Sequence, residues 1–361
     1  MRQDTHGSVD GTSEPEGPQG LGRRLEDWLH AHRYRRAVKR GRTPVVIPYT
    51  GYGTPAWTRV LGRVVLAKPV PAGRTGADAR YRKIRGWRSF MSISVGGAAT
   101  TVTINGEPFT VTTDRGGVID TTLPTSFTPG WHTITLTVNG SEPSTAHVFI
   151  VDPSARIGIV SDIDDTVMVT ALPRPLLAAW NTFVLDEHAR TPVPGMSVLL
   201  DRLSREHEGA PVIYLSTGAW NVAPTLERFL TRHLYPPGPL LLTDWGPTHD
   251  RWFRNGREHK EANLDRLADD FPHLKWLLLG DDGQHDEKIY AEFAARHPGR
   301  VAAIGIRQLT GGEAVLAGGR KSTDDHAELP EAWAFAPNGA GLAEQFAELG
   351  LLRRLGRRRE R

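Results

Sequence analysis

The sequence predicts two folded units, an all-β sandwich followed by a parallel α/β domain. Three observations carry that expectation. The chain has 361 residues, more than most single domains. Short strand patterns divided by turn residues fill the stretch from Thr58 to Val151. From Pro153 onward, apolar strand runs alternate with helical patterns, as a parallel sheet with crossover helices requires.

Composition narrows the possibilities. A hydrophobic fraction of 39% and a charged fraction of 24% suit a globular protein with a substantial core. The net charge of +3 argues against a dedicated nucleic-acid binder, which would carry a basic stripe. There are no cysteines, so disulfides, thiolate catalysis and cysteine zinc sites are excluded. Residues 1–19 are polar and lack the apolar core of a secretory signal. No uncharged apolar run approaches the ~20 residues of a spanning helix. The expectation is a cytoplasmic protein, with peripheral contact at the inner membrane face an option left open by its basic ends.

Residues 1–19 read as a disordered lead. Residues 20–44 read as a basic amphipathic helix, with Leu21, Leu25, Trp28, Leu29 and His32 at three- and four-residue steps. Arg33, Arg35, Arg36, Lys39, Arg40 and Arg42 follow. Such a helix either packs on its own domain with a solvated basic face or lies on an anionic membrane surface. Residues 45–152 form the predicted sandwich. Its strands are Arg59–Leu66, Ser89–Val95, Thr101–Ile104, Phe109–Thr112, Val118–Thr121, His132–Val138 and Ala146–Val151. Asn105-Gly106 suits a two-residue hairpin, and about seven strands at this spacing suggest an immunoglobulin-like sandwich. No catalytic cluster stands out within it.

Residues 153–308 carry the predicted strands Ile157–Ser161, Val212–Leu215, Leu240–Leu242, Trp276–Leu279 and Val301–Ile306. Between them fall the helices Met196–Glu206, Val222–His233, Ala262–Asp269 and Asp286–Arg296. In such doubly wound sheets the active site lies beyond the carboxyl ends of the strands. Strand one ends in Asp162 and Asp164, strand two in Ser216-Thr217 and strand four in Asp281-Asp282, with Lys260 ahead of the helix before strand four. These elements should converge on one edge.

Together they suit phosphoryl transfer through a carboxylate. Asp162, just after an apolar strand, is placed to take up a phosphoryl group as an aspartyl-phosphate. Anionic phosphate beside carboxylates needs a cation, and Mg²⁺ prefers oxygen ligands. The expected ligands are Asp162, the backbone carbonyl of Asp164 and Asp281, with Asp286 or Asp282 as additions. Asp164 would protonate the leaving oxygen and then activate water. Ser216 would hydrogen-bond the phosphoryl oxygens, with Thr217 beside it, and Lys260 would neutralise transition-state charge. Thr166 would fix the turn behind the site. Taken singly, an Asp-x-Asp-x-Thr is also a plain acidic loop, a Ser-Thr-Gly a common turn and a lysine a solvated charge. Their order and placement give them meaning.

At these residues the chain resembles the haloacid-dehalogenase-like (HAD-like) phosphatase superfamily, over about Ile157 to Arg307. Ser161-Asp162-Ile163-Asp164-Asp165-Thr166-Val167, His259-Lys260 and Gly280 to Asp286 are similar to the phosphatidate phosphatase catalytic domain of the actin-patch protein family. Pro48 to Thr54 and Gly62-Arg63-Val64 resemble the β region of that family. The resemblance implies a HAD-like Rossmannoid fold and Mg²⁺-dependent hydrolysis of phosphatidate to diacylglycerol. One departure is Ser216-Thr217-Gly218-Ala219, where the family has Ser-Asn-Ser-Pro, and this leaves a soluble phosphomonoester or phosphoprotein open as substrate. A membrane-associated scaffold with little turnover is the other alternative.

Neither insertion into the domain is long enough for a large cap. Residues Val167–Thr191 suit a small flap, so the site should be open to a lipid head group or a macromolecule. Trp180, Phe183, Trp220, Trp245, Trp252 and Phe253 either contact acyl chains or pack the core. Arg251, Arg254 and Arg257 are expected in a loop before Lys260. His249, His259 and His285 are read as orienting neighbours rather than metal ligands. Residues 309–361 are expected to hold an irregular Gly-rich stretch, a helix through Leu342, Phe346, Leu349 and Leu352, and a polybasic tail that either docks lipid or aids solubility.

Overall fold

The computed structural model describes residues 18–67, 93–139, 141–169, 191–243, 249–283, 285–311 and 332–354. Helix α1 (Pro18–Lys39) leads into β1 (Thr43–Thr54) and β2 (Trp57–Ala67), followed by β3 (Ile93–Ser94), β4 (Ala99–Ile104) and β5 (Glu107–Thr112). β6 (Val118–Pro124), β7 (Gly130–Val138) and β8 (Ser144–Ile150) complete the all-β unit. The eight strands form one hydrogen-bonded network, β3-β2-β1-β8-β7-β4-β5 with β6 on β2, rather than two separate sheets. It folds over itself: a Cβ on Gly62 of β2 would meet Leu136 of β7 at 3.2 Å. The alternation in β7 sends Ile134, Leu136 and Val138 into the core between them.

β1 is absent from the sequence expectation. Pro44, Pro48, Gly51 and Gly53 hide it, since both residue types weigh against a strand. Its antiparallel pairing with β2, from Thr43↔Ala67 to Thr54↔Trp57, overrides that local bias. The part of the expected strand Ser89–Val95 before Ile93 lies outside the described residues, as do residues 1–17 of the expected 1–19 lead, whose last two residues open α1.

The second unit is a six-stranded parallel sheet. Its strands are β9 (Ile157–Asp162), β12 (Val212–Ala219), β13 (Leu240–Thr243), β14 (Lys275–Asp281), β15 (Val301–Arg307) and β16 (Trp333–Ala336), in the order β13-β12-β9-β14-β15-β16. β9 and β14 are buried almost end to end, as strands covered on both faces must be. The helices are α2 (Met196–Glu206), α3 (Ala223–Arg232), α4 (His249–Asp270), α5 (Asp286–Arg296) and α6 (Gly339–Glu348). α2 buries Met196, Leu199, Leu200 and Leu203 at helical spacing. A two-stranded ladder of β10 (Met168–Val169) and β11 (Thr191–Pro192) closes the base of the expected flap; its interior, with Trp180 and Phe183, lies outside the described residues.

Three expectations need correction. β16 is a sixth parallel strand on β15, missed because Trp333–Ala336 is too short to show a period. α4 starts at His249, so Lys260 sits inside a helix rather than before one. Arg257 is accordingly a helical residue, paired with Glu261 and Glu292, not a loop cation; Arg251 and Arg254 lie in the same helix.

The two units share a buried interface. Tyr49 stacks on Trp220 at 4.6 Å between centroids, and its hydroxyl donates to the Trp220 carbonyl at 3.0 Å. Arg59, buried, donates through two nitrogens to Asp120 at 2.6 Å each and through a third to the Tyr52 hydroxyl at 2.7 Å. Tyr52 in turn donates to Asp270, the last residue of α4, at 2.9 Å. Among the described residues no helix is long and apolar enough to cross a membrane.

Candidate active site

The strand order explains how distant residues meet. β9 is central, with β12 and β14 as its parallel neighbours, and the register Leu215↔Asp162 and Leu279↔Ser161 brings all three carboxyl ends to one level. Asp162 ends β9 and Asp281 ends β14, while Asp286 opens α5. One carboxylate oxygen from each lies within 4.8 Å of the others. All three side chains are buried.

Lys260 reaches this cluster from α4. Its Nζ donates to Asp162 Oδ1 at 2.7 Å and to Asp286 Oδ1 at 2.6 Å, with 2% of the side chain exposed. Burial alone would lower the lysine pKa, but the two carboxylates outweigh it and hold the ammonium protonated. Burial pushes Asp162 well above the usual carboxylate range; Lys260 opposes this, while Asp286 and Asp164 add repulsion. Asp281 is raised for the same reason, by burial first and then by Asp286, Asp162 and Asp165.

Fully ionised, the three carboxylates would carry more negative charge than one lysine balances, and that repulsion adds to burial in raising Asp162 and Asp281. Asp162, Asp281 and Asp286 each also keep a buried Oδ2 with no hydrogen-bond partner. Orphaned carboxylate oxygens converging in a dry site fit a hard divalent cation such as Mg²⁺. Of the two additions the sequence left open, Asp286 joins the cluster. Asp282 turns away, accepting from the Leu309 N–H at 2.8 Å while its own N–H donates to the Arg307 carbonyl at 3.1 Å.

The remaining expected residues stand around this centre. Ser216 donates to Asp164 Oδ2 at 3.0 Å and accepts from the Gly218 N–H at 3.0 Å, so it orients the second aspartate. Thr217 packs its methyl toward Gly256 of α4, where an added Cβ would meet it at 3.1 Å. Lys260 is one helical turn further along. Thr166 is fully buried, but its hydroxyl finds no partner, so the turn it was expected to fix is held otherwise. Asp165 has φ 59, and its carbonyl accepts from Arg307 at 2.7 Å.

Arg307 escaped the sequence reading. It is buried at the end of β15 and ties the Asp165 turn to the Asp282 loop. A signal was there: an arginine closing the apolar run Val301–Ile306 at the edge where Asp162 and Asp281 close theirs. Gly280 is a second such residue. A Cβ there would lie 2.7 Å from Asp286 Cβ and Oδ2, so glycine is what lets α5 bring Asp286 against the strand end. His259 points elsewhere, with a ring nitrogen facing the Leu241 carbonyl, and His285 is the residue just before α5, at φ 71. Trp220 packs on Tyr49, which assigns it to the interface. The side chains of Trp245, His249, Arg251, Trp252, Phe253 and Arg254 lie outside what the structure describes.

Comparison with known proteins fits this arrangement. Residues 157–308 match the family model described as "Phosphatidate phosphatase APP1, catalytic domain". These residues are similar to that catalytic domain. The chain is 27% identical over 204 residues to phosphatidate phosphatase APP1 of Saccharomyces cerevisiae, covering 54% of this chain and 34% of the yeast protein. It is 29% identical over 155 residues to an uncharacterized protein of Schizosaccharomyces pombe, covering 42% and 25%. The chain thus spans about a third or less of the length of these relatives. Among solved structures, a carbohydrate acetylesterase from Xanthomonas citri covers 85% of this chain and 75% of its own, at 11% identity and a TM-score of 0.31. That likeness is too slight to bear on fold or chemistry.

Proposed function

We propose that this chain is a Mg²⁺-dependent phosphatase with a HAD-like catalytic domain, working through an aspartyl-phosphate on Asp162, and that its substrate is phosphatidate. The observation that carries the reading is the buried cluster of Asp162, Asp281, Asp286 and Lys260, with Asp164 and Ser216 beside it. The family match over residues 157–308 supplies the substrate class.

The roles follow from position. Asp162 attacks phosphorus, the bond to the leaving oxygen breaks, and Asp164 gives that oxygen its proton. Asp164 then takes a proton from water, whose oxygen attacks phosphorus and releases Asp162 and inorganic phosphate. Ser216 keeps the Asp164 carboxyl turned toward the site. Lys260 holds Asp162 in place through Oδ1 and offsets charge that grows on the phosphoryl oxygens. Asp162, Asp281, Asp286 and the Asp164 carbonyl would hold Mg²⁺, which supplies charge neutralisation at the phosphoryl group.

Asp162→Asn keeps the shape of the side chain and removes the nucleophile. It should abolish phosphate release from phosphatidate in mixed micelles while leaving the circular dichroism unchanged; Mg²⁺-dependent turnover at the wild-type rate would eliminate the mechanism. The Thr217-Gly218-Ala219 sequence favours testing a second substrate class. Faster turnover of soluble phosphomonoesters than of phosphatidate would replace the lipid by a soluble substrate.

A further inference from the structure

We infer that the outward face of α1 docks on an anionic lipid bilayer and sets the catalytic edge toward it. The inference rests on the phosphatidate reading for its purpose, but its observations stand apart from the active site. α1 touches the all-β unit through Tyr34 and Ala37. At 3.6 residues per turn, Trp28, His32, Arg35, Arg36 and Lys39 fall within an arc of about 100°, centred opposite those two. All five are exposed, Trp28 to 58%. Trp28 stacks on His32 at 5.7 Å between centroids, and the Arg35 Nε donates to the Ala31 carbonyl at 3.3 Å. Among the described residues no carboxylate pairs with Arg35, Arg36 or Lys39. A helix that is polar on its free face, cationic and tipped by one aromatic residue suits adsorption to anionic head groups rather than insertion.

Its position gives the surface its use. The Gly53 carbonyl of β1 accepts from Val151, at the entry to the parallel sheet. Tyr49 lies against Trp220, just past the carboxyl end of β12. Read backwards, β1 therefore climbs from the entry edge to the catalytic edge, and six further residues carry it about 20 Å beyond Tyr49 to Thr43. α1 sits on β2 and β3 at that end. The basic C-terminal tail starts at the other edge: Arg353 pairs with Glu206, the last residue of α2, at 2.9 Å. A bilayer on the α1 face thus lies on the catalytic side of the sheet, whereas one on the tail lies on the opposite side. An acidic protein is the rival occupant, and lipid is favoured because the proposed substrate resides in a bilayer.

The test uses the full chain and vesicles of phosphatidylcholine, alone or mixed with phosphatidylglycerol, an anionic lipid with no phosphomonoester to hydrolyse. The wild type should sediment with the mixed vesicles, lose binding as salt rises, and ignore phosphatidylcholine alone. The triple variant Arg35→Glu, Arg36→Glu, Lys39→Glu, which keeps helix-forming residues, should bind at least on the order of a hundredfold more weakly, the change expected for three lost contacts. Trp28→Ala should weaken binding more modestly. Phosphate release from a soluble phosphomonoester should match the wild type in both variants. Wild-type protein that ignores mixed vesicles, or a triple variant that binds as the wild type does, overturns the docking. A chain that binds vesicles but hydrolyses no phosphomonoester leaves the docking standing and refutes the phosphatase.

Discussion

Replacing Lys260 by methionine tests the charge balance on which the site depends. The Nζ lies 2.7 Å and 2.6 Å from two carboxylates in a buried pocket. At an effective dielectric constant near 20, each attraction is about 6 kcal/mol, set against the cost of desolvating all three charges. Removing one partner of a buried pair typically costs about 3–5 kcal/mol. At roughly 2–4 °C per kcal/mol for a domain of this size, metal-free Lys260→Met should melt some 6–20 °C below the wild type. Mg²⁺ offers the same carboxylates a competing positive charge. It should restore most of that loss and bind the variant at least as tightly as the wild type. Turnover should nonetheless fall by about 10²–10³-fold, as when a donor to the transition state is removed. Calorimetry with EDTA or Mg²⁺, alongside phosphate-release kinetics across Mg²⁺ concentrations, measures all three. Clearly weaker Mg²⁺ binding, or unchanged turnover, would refute the argument.

Other outcomes follow from the same geometry. Asp162 and Asp281 have folded pKa values raised above the unfolded ones, so their contribution is fully present below about pH 4 and lost as pH rises through the folded values. Melting in EDTA should therefore fall, relative to melting in Mg²⁺, as pH rises above about 4. His259, pushed down to about 4 by burial, destabilises at acid pH in both samples, so the difference between the two curves is the readout; parallel curves contradict the cluster. Gly280→Ala would place a methyl 2.7 Å from Asp286, costing about 1–3 kcal/mol and weakening Mg²⁺ binding; calorimetric titration that finds wild-type affinity rules this out. Arg59→Leu removes the donor to Tyr52 and leaves Asp120 with only the half-exposed Arg266, at 3.3 Å, as its cation, at a cost of about 1–3 kcal/mol. Urea unfolding should then separate the units into two transitions, and a single unshifted transition would show that the interface does not couple them.

The sequence was most readable where local pattern and buried context agree. α2 and α5 run from Met196 to Glu206 and from Asp286 to Arg296, as periodicity alone places them. The buried strands of the parallel sheet show as apolar runs because both faces are covered. It was least readable where tertiary pairing supplied the stabilisation. β1 is held by β2 and β8 despite its prolines and glycines, and β16 by β15. The early start of α4 was hidden by Gly256 and a run of polar residues around it.

For the site, chain order alone determined that Asp162, Asp164, Ser216, Lys260 and Asp281 belong together, because parallel strands deliver their carboxyl ends to one edge. Only the folded chain decided that Asp286 rather than Asp282 completes the carboxylate cluster, that Ser216 serves Asp164, and that Arg307 ties the two loops together. Those choices turn on side-chain directions over distances of a few ångströms. Neighbouring residues in a turn can point opposite ways, and only the helix or strand packed against them fixes which one faces the site.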